Sequence, residues 1–119
     1  MGKINIAITG FKGRMGQQLI KSATKDKSTR LVAITENKLI KKKIVGIKPE
    51  LNTEKALRKA NVIIDFTVPK CTLEVLKIAV KLKKKVVIGT TGFTKKEEKL
   101  IKKFSNKIPI LKAGNMSLG

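Results

Sequence analysis

Short apolar runs alternate with helix-like periods along this chain, and this alternation limits the possible fold more than any other feature. Five runs have the length and composition of strands: Lys3–Thr9, Leu31–Thr35, Asn61–Thr67, Val86–Ile88 and Ile108–Leu111. The third run is apolar through its centre, which is typical of a parallel strand covered on both faces. Strands that alternate with helices through short connections predict right-handed crossovers and a parallel sheet.

Helical signals fill most of the chain between these runs. Helices are predicted over residues 14–25, 53–59, 69–83 and 94–104. Apolar residues of the first helix recur with the spacing of one helix face, and Thr94 with Glu97 forms a capping box for the last. Residues 38–52 are predicted to be irregular, with Gly46 and Pro49 as breakers. We therefore predict a single α/β domain with a Rossmann-like, doubly wound parallel sheet.

Length and composition exclude several classes of protein. A chain of 119 residues can bury one core, and no apolar run approaches the roughly 18 residues that span a bilayer. The chain has no histidine and one cysteine, which excludes histidine-based metal sites, histidine general bases and an internal disulfide; no metal site is predicted. Cys71 is interpreted as a small apolar filler near a helix start rather than a nucleophile. These features and the absence of a signal-peptide pattern predict a cytoplasmic protein.

The charge balance is unusual, with 28 basic against 8 acidic residues and a formal net charge of +20. Proteins that read nucleic acids use arginine forks and aromatic platforms, whereas this chain has only three arginines and four phenylalanines. A lysine-rich solvated surface is therefore favoured, and no nucleic-acid partner is expected. A basic nucleic-acid-binding module remains the weaker alternative. A positive field would also attract polyanionic dinucleotides and dicarboxylates.

A glycine-rich turn follows the first strand and leads into the first helix. Gly10 permits the tight turn, Gly13 allows a pyrophosphate to approach backbone N–H groups, and Gly16 allows the helix to pack close to the sheet. Lys12 stands in place of the usual middle glycine. This strand–turn–helix context predicts a phosphate-containing ligand.

An acidic residue in the expected position makes that ligand a dinucleotide. Glu36 follows the second strand, 20 residues beyond Gly16, where a carboxylate accepts hydrogen bonds from the adenosine ribose. Asn37 and Lys38 come next, and a cation there could tolerate the extra phosphate of NADP. The predicted cofactor is therefore NADH or NADPH, with the choice open.

Further polar residues follow the third and fourth strands. Asp65 lies in an apolar run, so it is either a structural carboxylate that accepts backbone N–H groups or a functional group. The segment Gly89–Gly92 offers two hydroxyls and flexible backbone, which suit a nicotinamide carboxamide or a substrate carboxylate. Taken alone, the same segment is an ordinary turn before a capped helix. Parallel strands bring these residues to one edge of the sheet.

Four motifs together resemble the dihydrodipicolinate reductase family of lysine and diaminopimelate biosynthesis. They are Ile8–Gly16, Val62–Thr67, Val87–Phe93 and Gly114–Gly119. The resemblance implies an NADH- or NADPH-dependent oxidoreductase that reduces 4-hydroxy-tetrahydrodipicolinate, a small dicarboxylate, to tetrahydrodipicolinate. Another amino-acid oxidoreductase, such as an aspartate or homoserine dehydrogenase relative, is the alternative enzyme.

The resemblance also implies cofactor contacts. The pyrophosphate would lie against Gly10, Phe11, Lys12, Gly13, Arg14 and Met15, and the ribose against Glu36, with Asn37 where relatives often carry an arginine for a 2′-phosphate. The nicotinamide end would be lined by Gly89, Thr90, Thr91, Ala113, Gly114, Asn115 and Met116.

The histidine-rich motif and catalytic lysine of the family's substrate domain have no counterpart in this chain. Residues 1–113 are therefore expected to be the dinucleotide-binding domain, and residues 114–119 the start of a hinge to a missing substrate-binding domain. No catalytic residue is expected in this chain, which alone should be inactive. The resemblance implies a homo-oligomeric full-length enzyme, whereas this part alone is expected to be monomeric.

Overall fold

The computed structural model describes residues 3–10, 14–36 and 46–112, with the backbone alone described for Arg14 and Met15. The strands in these ranges are β1 (Ile4–Thr9), β2 (Thr29–Glu36), β3 (Glu50–Leu51), β4 (Val62–Asp65), β5 (Lys85–Ile88) and β6 (Ile110–Lys112). The helices are α1 (Arg14–Lys25), α2 (Glu54–Leu57), α3 (Pro69–Leu82) and α4 (Lys95–Ser105).

The strands form one parallel sheet in the order β3-β2-β1-β4-β5-β6. β2 and β3 lie on one side of β1, and the chain then crosses to the other side of β1 to form β4, β5 and β6. The strand order thus reverses between β1 and β4, which in open α/β sheets is where a crevice for a ligand lies at the carboxyl edge. The predicted Rossmann-like fold is confirmed.

Two apolar clusters cover the two faces of the sheet. On one face α1 packs on β1 and β2 through Ile6, Ile8, Ile20, Ala23, Leu31 and Ile34. On the other face the core includes Leu57 of α2, Val75 and Leu76 of α3, and Ile101 of α4. Aliphatic side chains supply these buried residues.

The sequence missed β3 and misplaced some ends of the elements. β3 lies inside the stretch predicted to be irregular, and its two residues pair with Thr35 and Glu36. A two-residue strand is too short to show a period of two. The last strand begins at Ile110 rather than Ile108, because Pro109 has no N–H to give to the ladder.

The carboxyl end of α3 offers a direct test of local backbone strain. Lys83 caps this helix in the left-handed region, with φ 57° and ψ 48°, a conformation that glycine adopts without cost. We expect Lys83→Gly to raise the free energy of unfolding by about 1 kcal/mol, measured by urea denaturation. Lys77→Gly, inside the same helix, should lower it by about 1 kcal/mol. A loss of stability in Lys83→Gly would contradict the assignment of strain.

Candidate functional site

The carboxyl ends of β1, β2, β4 and β5 lie side by side and are joined by backbone hydrogen bonds. Gly10 N donates to Thr35 O at 2.9 Å, and Phe66 N donates to Thr9 O at 3.2 Å. Gly89 N donates to Asp65 O at 2.8 Å. Three segments that the sequence singled out, at Gly10, Glu36 and Gly89, therefore lie on one edge of the sheet.

Gly10 requires glycine for two independent reasons. Its φ is +80°, and a Cβ atom there would lie 2.4 Å from Thr67 Cγ2 and 2.6 Å from the backbone oxygen of Phe66. α1 begins shortly afterwards at Arg14 and carries no acidic residue in its first turn. The edge beside β1 therefore combines close backbone packing with a helix N-terminus, whose N–H groups and dipole favour an anion.

Glu36 is the last residue of β2 and is only 7 % exposed. β1 and β3 flank this strand, and the backbone of Glu36 pairs with Leu51 at the carboxyl edge. A buried acid in this position has the chemistry that a ribose diol needs, because an ionised carboxylate accepts hydrogen bonds from two hydroxyls. The residues present therefore fit an adenosine ribose.

Asp65 lies at the end of β4 and is fully buried. Its carboxylate accepts hydrogen bonds from the hydroxyls of Thr9 and Thr72, and from Thr67 Oγ1 at 2.8 Å. Thr90 Oγ1 lies 3.4 Å from Asp65 Oδ2. The expected acceptor role is present, but the donors among the described residues are threonine hydroxyls rather than the backbone N–H groups that the sequence suggested.

Burial raises the pKa of the Asp65 carboxyl above its ordinary value near 3.8, and the hydroxyls of Thr72, Thr9, Thr67 and Thr90 offset part of that rise. Between pH 3.8 and the raised pKa, the folded protein holds a proton that the unfolded chain has released. The stability contributed by this group therefore falls as pH rises through that window.

Asp65→Asn removes this titration. We expect the free energy of unfolding of Asp65→Asn, relative to the unsubstituted chain, to increase as pH rises from about 4 through the raised pKa of Asp65. Urea denaturation of both chains over a pH series measures this difference. A difference that is constant or decreases with pH would show that the folded pKa is not raised.

Gly89, Thr90 and Thr91, which follow β5, differ in their surroundings. A Cβ atom on Gly89 would lie 1.8 to 2.2 Å from atoms of the Phe66 ring, so the ring packs directly on this glycine. The hydroxyl of Thr90 is buried and accepts from Thr67 N at 2.9 Å, whereas Thr91 is exposed. Of the two hydroxyls that the sequence offered for a ligand, that of Thr90 is thus engaged inside the protein.

Several predicted contacts lie outside the described residues. They are Phe11, Lys12, Gly13, Asn37, Ala113, Gly114, Asn115 and Met116, and the side chains of Arg14 and Met15. Sequence reasoning, in turn, missed the four threonine partners of Asp65, which are Thr9, Thr67, Thr72 and Thr90. Thr72 looks like an ordinary helical residue in the sequence, and only the packing of α3 against β4 brings its hydroxyl to the carboxylate.

Cys71 is buried in the first turn of α3. Burial raises the pKa of its thiol, and the nearby carboxylates of Glu74, Asp65 and Glu36 raise it further. The thiol therefore stays protonated at neutral pH, which agrees with a packing role. Within the ranges described, no helix is long and apolar enough to cross a membrane.

Comparison with known proteins identifies the family. A family model described as dihydrodipicolinate reductase, N-terminus, matches residues 4–116. The chain belongs to that family. The family resemblance drawn from the sequence is thus confirmed, and the match favours this family over the other oxidoreductase families that the sequence left open.

Relatives of the reductase family match this chain over nearly its whole length. A protein of Pelagibacter ubique named 4-hydroxy-tetrahydrodipicolinate reductase is 70% identical over 100% of this chain and 46% of its own length. A protein of the same name from Buchnera aphidicola is 46% identical over 98% of this chain and 48% of its own length. The chain thus spans about half the length of the curated relatives it matches.

A solved structure agrees with the fold. The dipicolinate-bound dihydrodipicolinate reductase from Paenisporosarcina sp. TG-14 superposes with a TM-score of 0.71 and 25% sequence identity. The superposition covers 87% of this chain and 43% of that one.

Proposed function

We propose that this chain binds NADH or NADPH across the carboxyl edge of its sheet, at the reversal of strand order between β1 and β4. Two neighbouring features carry the proposal. Gly10 follows β1 and has no room for a Cβ atom, and Glu36 is buried at the end of the adjacent strand β2. The first feature suits a pyrophosphate beside the N-terminus of α1, and the second suits an adenosine ribose.

The proposed contacts follow from these two anchors and from the family motifs. The pyrophosphate lies against Gly10, Phe11, Lys12, Gly13, Arg14 and Met15. Glu36, with Asn37 beside it, holds the ribose. The nicotinamide end lies toward Gly89, Thr90, Thr91, Ala113, Gly114, Asn115 and Met116. Because the Thr90 hydroxyl has internal partners, we assign the exposed Thr91 and the backbone of this segment to the ligand.

Glu36 favours NADH as the preferred cofactor. A carboxylate in this position attracts the two ribose hydroxyls and repels a 2′-phosphate. Asn37 carries no charge to offset that repulsion, although Lys38 supplies one positive charge nearby in the sequence. We therefore propose that NADH binds more tightly than NADPH.

In the complete enzyme, the bound dinucleotide supplies a hydride for the reduction of 4-hydroxy-tetrahydrodipicolinate. This chain orients the dinucleotide and excludes water from it. Residues 1–113 form the dinucleotide domain, and residues 114–119 begin the hinge to the domain that holds the dicarboxylate and provides the catalytic groups. We place this enzyme in the cytoplasm, in keeping with a single buried thiol, and we expect its oligomer contacts outside this chain.

Titration of NADH fluorescence with the 119-residue chain tests the proposal. We expect saturable binding with a dissociation constant below about 1 mM, competition by ADP-ribose, and no turnover of substrate. Competition by ADP-ribose reports on the glycine turn and Glu36, because this competitor lacks the nicotinamide. The absence of a saturable signal at millimolar concentrations of the chain would refute the proposal.

A further inference from the structure

A closed cluster of side chains lies beneath the carboxyl edge, and its hydroxyl groups are not used in the proposed contacts. Four threonines surround the Asp65 carboxylate and are here called the threonine cluster: Thr9, Thr67, Thr72 and Thr90. They come from four different segments, namely the end of β1, the loop after β4, the first turn of α3 and the loop after β5. One carboxylate therefore connects a strand end, two loops and a helix through side-chain hydrogen bonds, in addition to the backbone hydrogen bonds of the sheet.

Most of the hydrogen-bonding capacity of the Asp65 carboxylate is used by the threonine hydroxyls. An ionised carboxylate has about four acceptor positions, and each hydroxyl has one hydrogen to donate. Thr9 and Thr67 donate to Asp65 Oδ1, and Thr72 donates to Oδ2. Thr90 Oγ1 lies 2.9 Å from Thr72 Oγ1 and also accepts from Thr67 N. Asp65 is fully buried, so it cannot touch a ligand at the edge.

The cluster lies directly beneath the two glycine segments of the edge. Thr9 immediately precedes Gly10, and the methyl group of Thr67 occupies the space where a Gly10 Cβ atom would lie. Thr90 immediately follows Gly89, whose surface is covered by the Phe66 ring. The carboxylate therefore contacts the residues next to both glycines, Thr9 and Thr90.

We propose that Asp65 is a positioning residue, which holds the turn at Gly10 and the segment at Gly89 in the relative geometry that the dinucleotide needs. The inference rests on the proposed function for its ligand, but the geometry that it assigns to Asp65 exists without ligand. Asp65 acts through the threonine cluster and is not a catalytic residue. The proposal therefore predicts a local effect at the carboxyl edge that exceeds any effect on the rest of the sheet.

Hydrogen exchange of the ligand-free chain measures that local effect. The reporting amides are Thr67 N–H, which donates to Thr90 Oγ1, and Gly89 N–H, which donates to Asp65 O. The internal control is Asn61 N–H, which donates to Asn5 O at the opposite edge of the sheet. In Asp65→Asn we expect the two reporting amides to exchange about tenfold faster, with less than a twofold change at Asn61.

A matched pair of threonine substitutions isolates the cluster. Thr72 and Thr35 are both fully buried, but the Thr35 hydroxyl has no hydrogen-bond partner among the described residues. We expect Thr72→Val to accelerate exchange at Thr67 and Gly89 several-fold. Thr35→Val, which removes the same hydroxyl outside the cluster, should leave both amides within twofold of their original rates.

NADH affinity of the same variants links this geometry to the ligand. Asp65→Asn and Thr72→Val should each raise the NADH dissociation constant about fivefold to tenfold. Ile101→Val, a core substitution in the second half of α4, destabilises the whole domain and should leave the dissociation constant within twofold. A general loss of stability would therefore not reproduce the result.

The outcomes separate the two proposals. In Asp65→Asn, equal acceleration of exchange at Asn61 and Gly89 would overturn the positioning role. The role would also be overturned if the unsubstituted chain binds NADH and Asp65→Asn binds it with the same affinity. If the unsubstituted chain binds no NADH, the proposed function fails, while accelerated exchange confined to the edge would still support the geometric role of Asp65.

Discussion

Gly10→Ala is expected to lower the free energy of unfolding by about 3 kcal/mol and to abolish measurable NADH binding. Alanine at φ +80° costs about 1 kcal/mol or more. The added Cβ would also lie 2.6 Å from the Phe66 carbonyl oxygen, and backbone cannot move aside as the tip of a side chain can. Relief of this contact would separate β1 from the loop after β4, which is where the pyrophosphate is proposed to bind.

Gly46→Ala is the matched control for that substitution. Gly46 has nearly the same φ, +79°, but among the residues that the structure describes a Cβ atom there would meet nothing within 4 Å. Its expected cost is about 1 kcal/mol, from the backbone conformation alone. Urea denaturation and NADH titration of both variants separate the backbone strain of a positive φ, which both share, from the steric clash of the added Cβ atom, which only Gly10→Ala has. Equal losses of stability in the two variants would show that the contact with Phe66 and Thr67 is not limiting.

Glu36→Gln is expected to weaken NADH binding about tenfold and to leave NADPH binding unchanged or tighter. Glutamine keeps the shape of the side chain but removes the charge. The ribose hydroxyls then lose a charge-assisted hydrogen bond, whereas a 2′-phosphate loses a repulsive neighbour. The ratio of the two dissociation constants, from parallel fluorescence titrations, should therefore shift toward NADPH by tenfold or more.

Glu50→Gln provides the control for this change in charge. Glu50 lies on β3 next to the end of β2, and its carboxylate pairs with Lys59 at 3.1 Å. Removing its charge alters the same region of the sheet without touching the proposed ribose site. We expect both dissociation constants to stay within about twofold. A parallel loss of NADH and NADPH affinity in Glu36→Gln would instead point to a structural role for Glu36.

Patterns that repeat along the chain made most of the fold predictable. Apolar runs such as that before Asp65 were long enough to show strand character, and the capping box at Thr94 and Glu97 forms as predicted. β3 could not be predicted, because two residues contain no period. Its pairing with Thr35 and Glu36 arises only once the chain returns to the edge of β2.

The candidate site was predictable only in part. Gly10, Glu36 and Gly89 each follow a strand, so a parallel sheet was bound to bring them to one edge. Their surroundings were not predictable from the sequence. The Phe66 ring on Gly89 and the hydroxyl of Thr72 on Asp65 are contacts between residues far apart in the chain or on different elements.

By itself, the sequence determined the parallel α/β architecture, the family, and the three strand ends at which a dinucleotide is proposed to bind, because spacing and strand order are properties of the chain. The tertiary structure alone decided which polar groups are left for a ligand. It turned the Thr90 hydroxyl inward and enclosed Asp65 among threonines. The physical reason is that a buried carboxylate must find donors wherever packing supplies them, and packing is settled only when the helices meet the sheet.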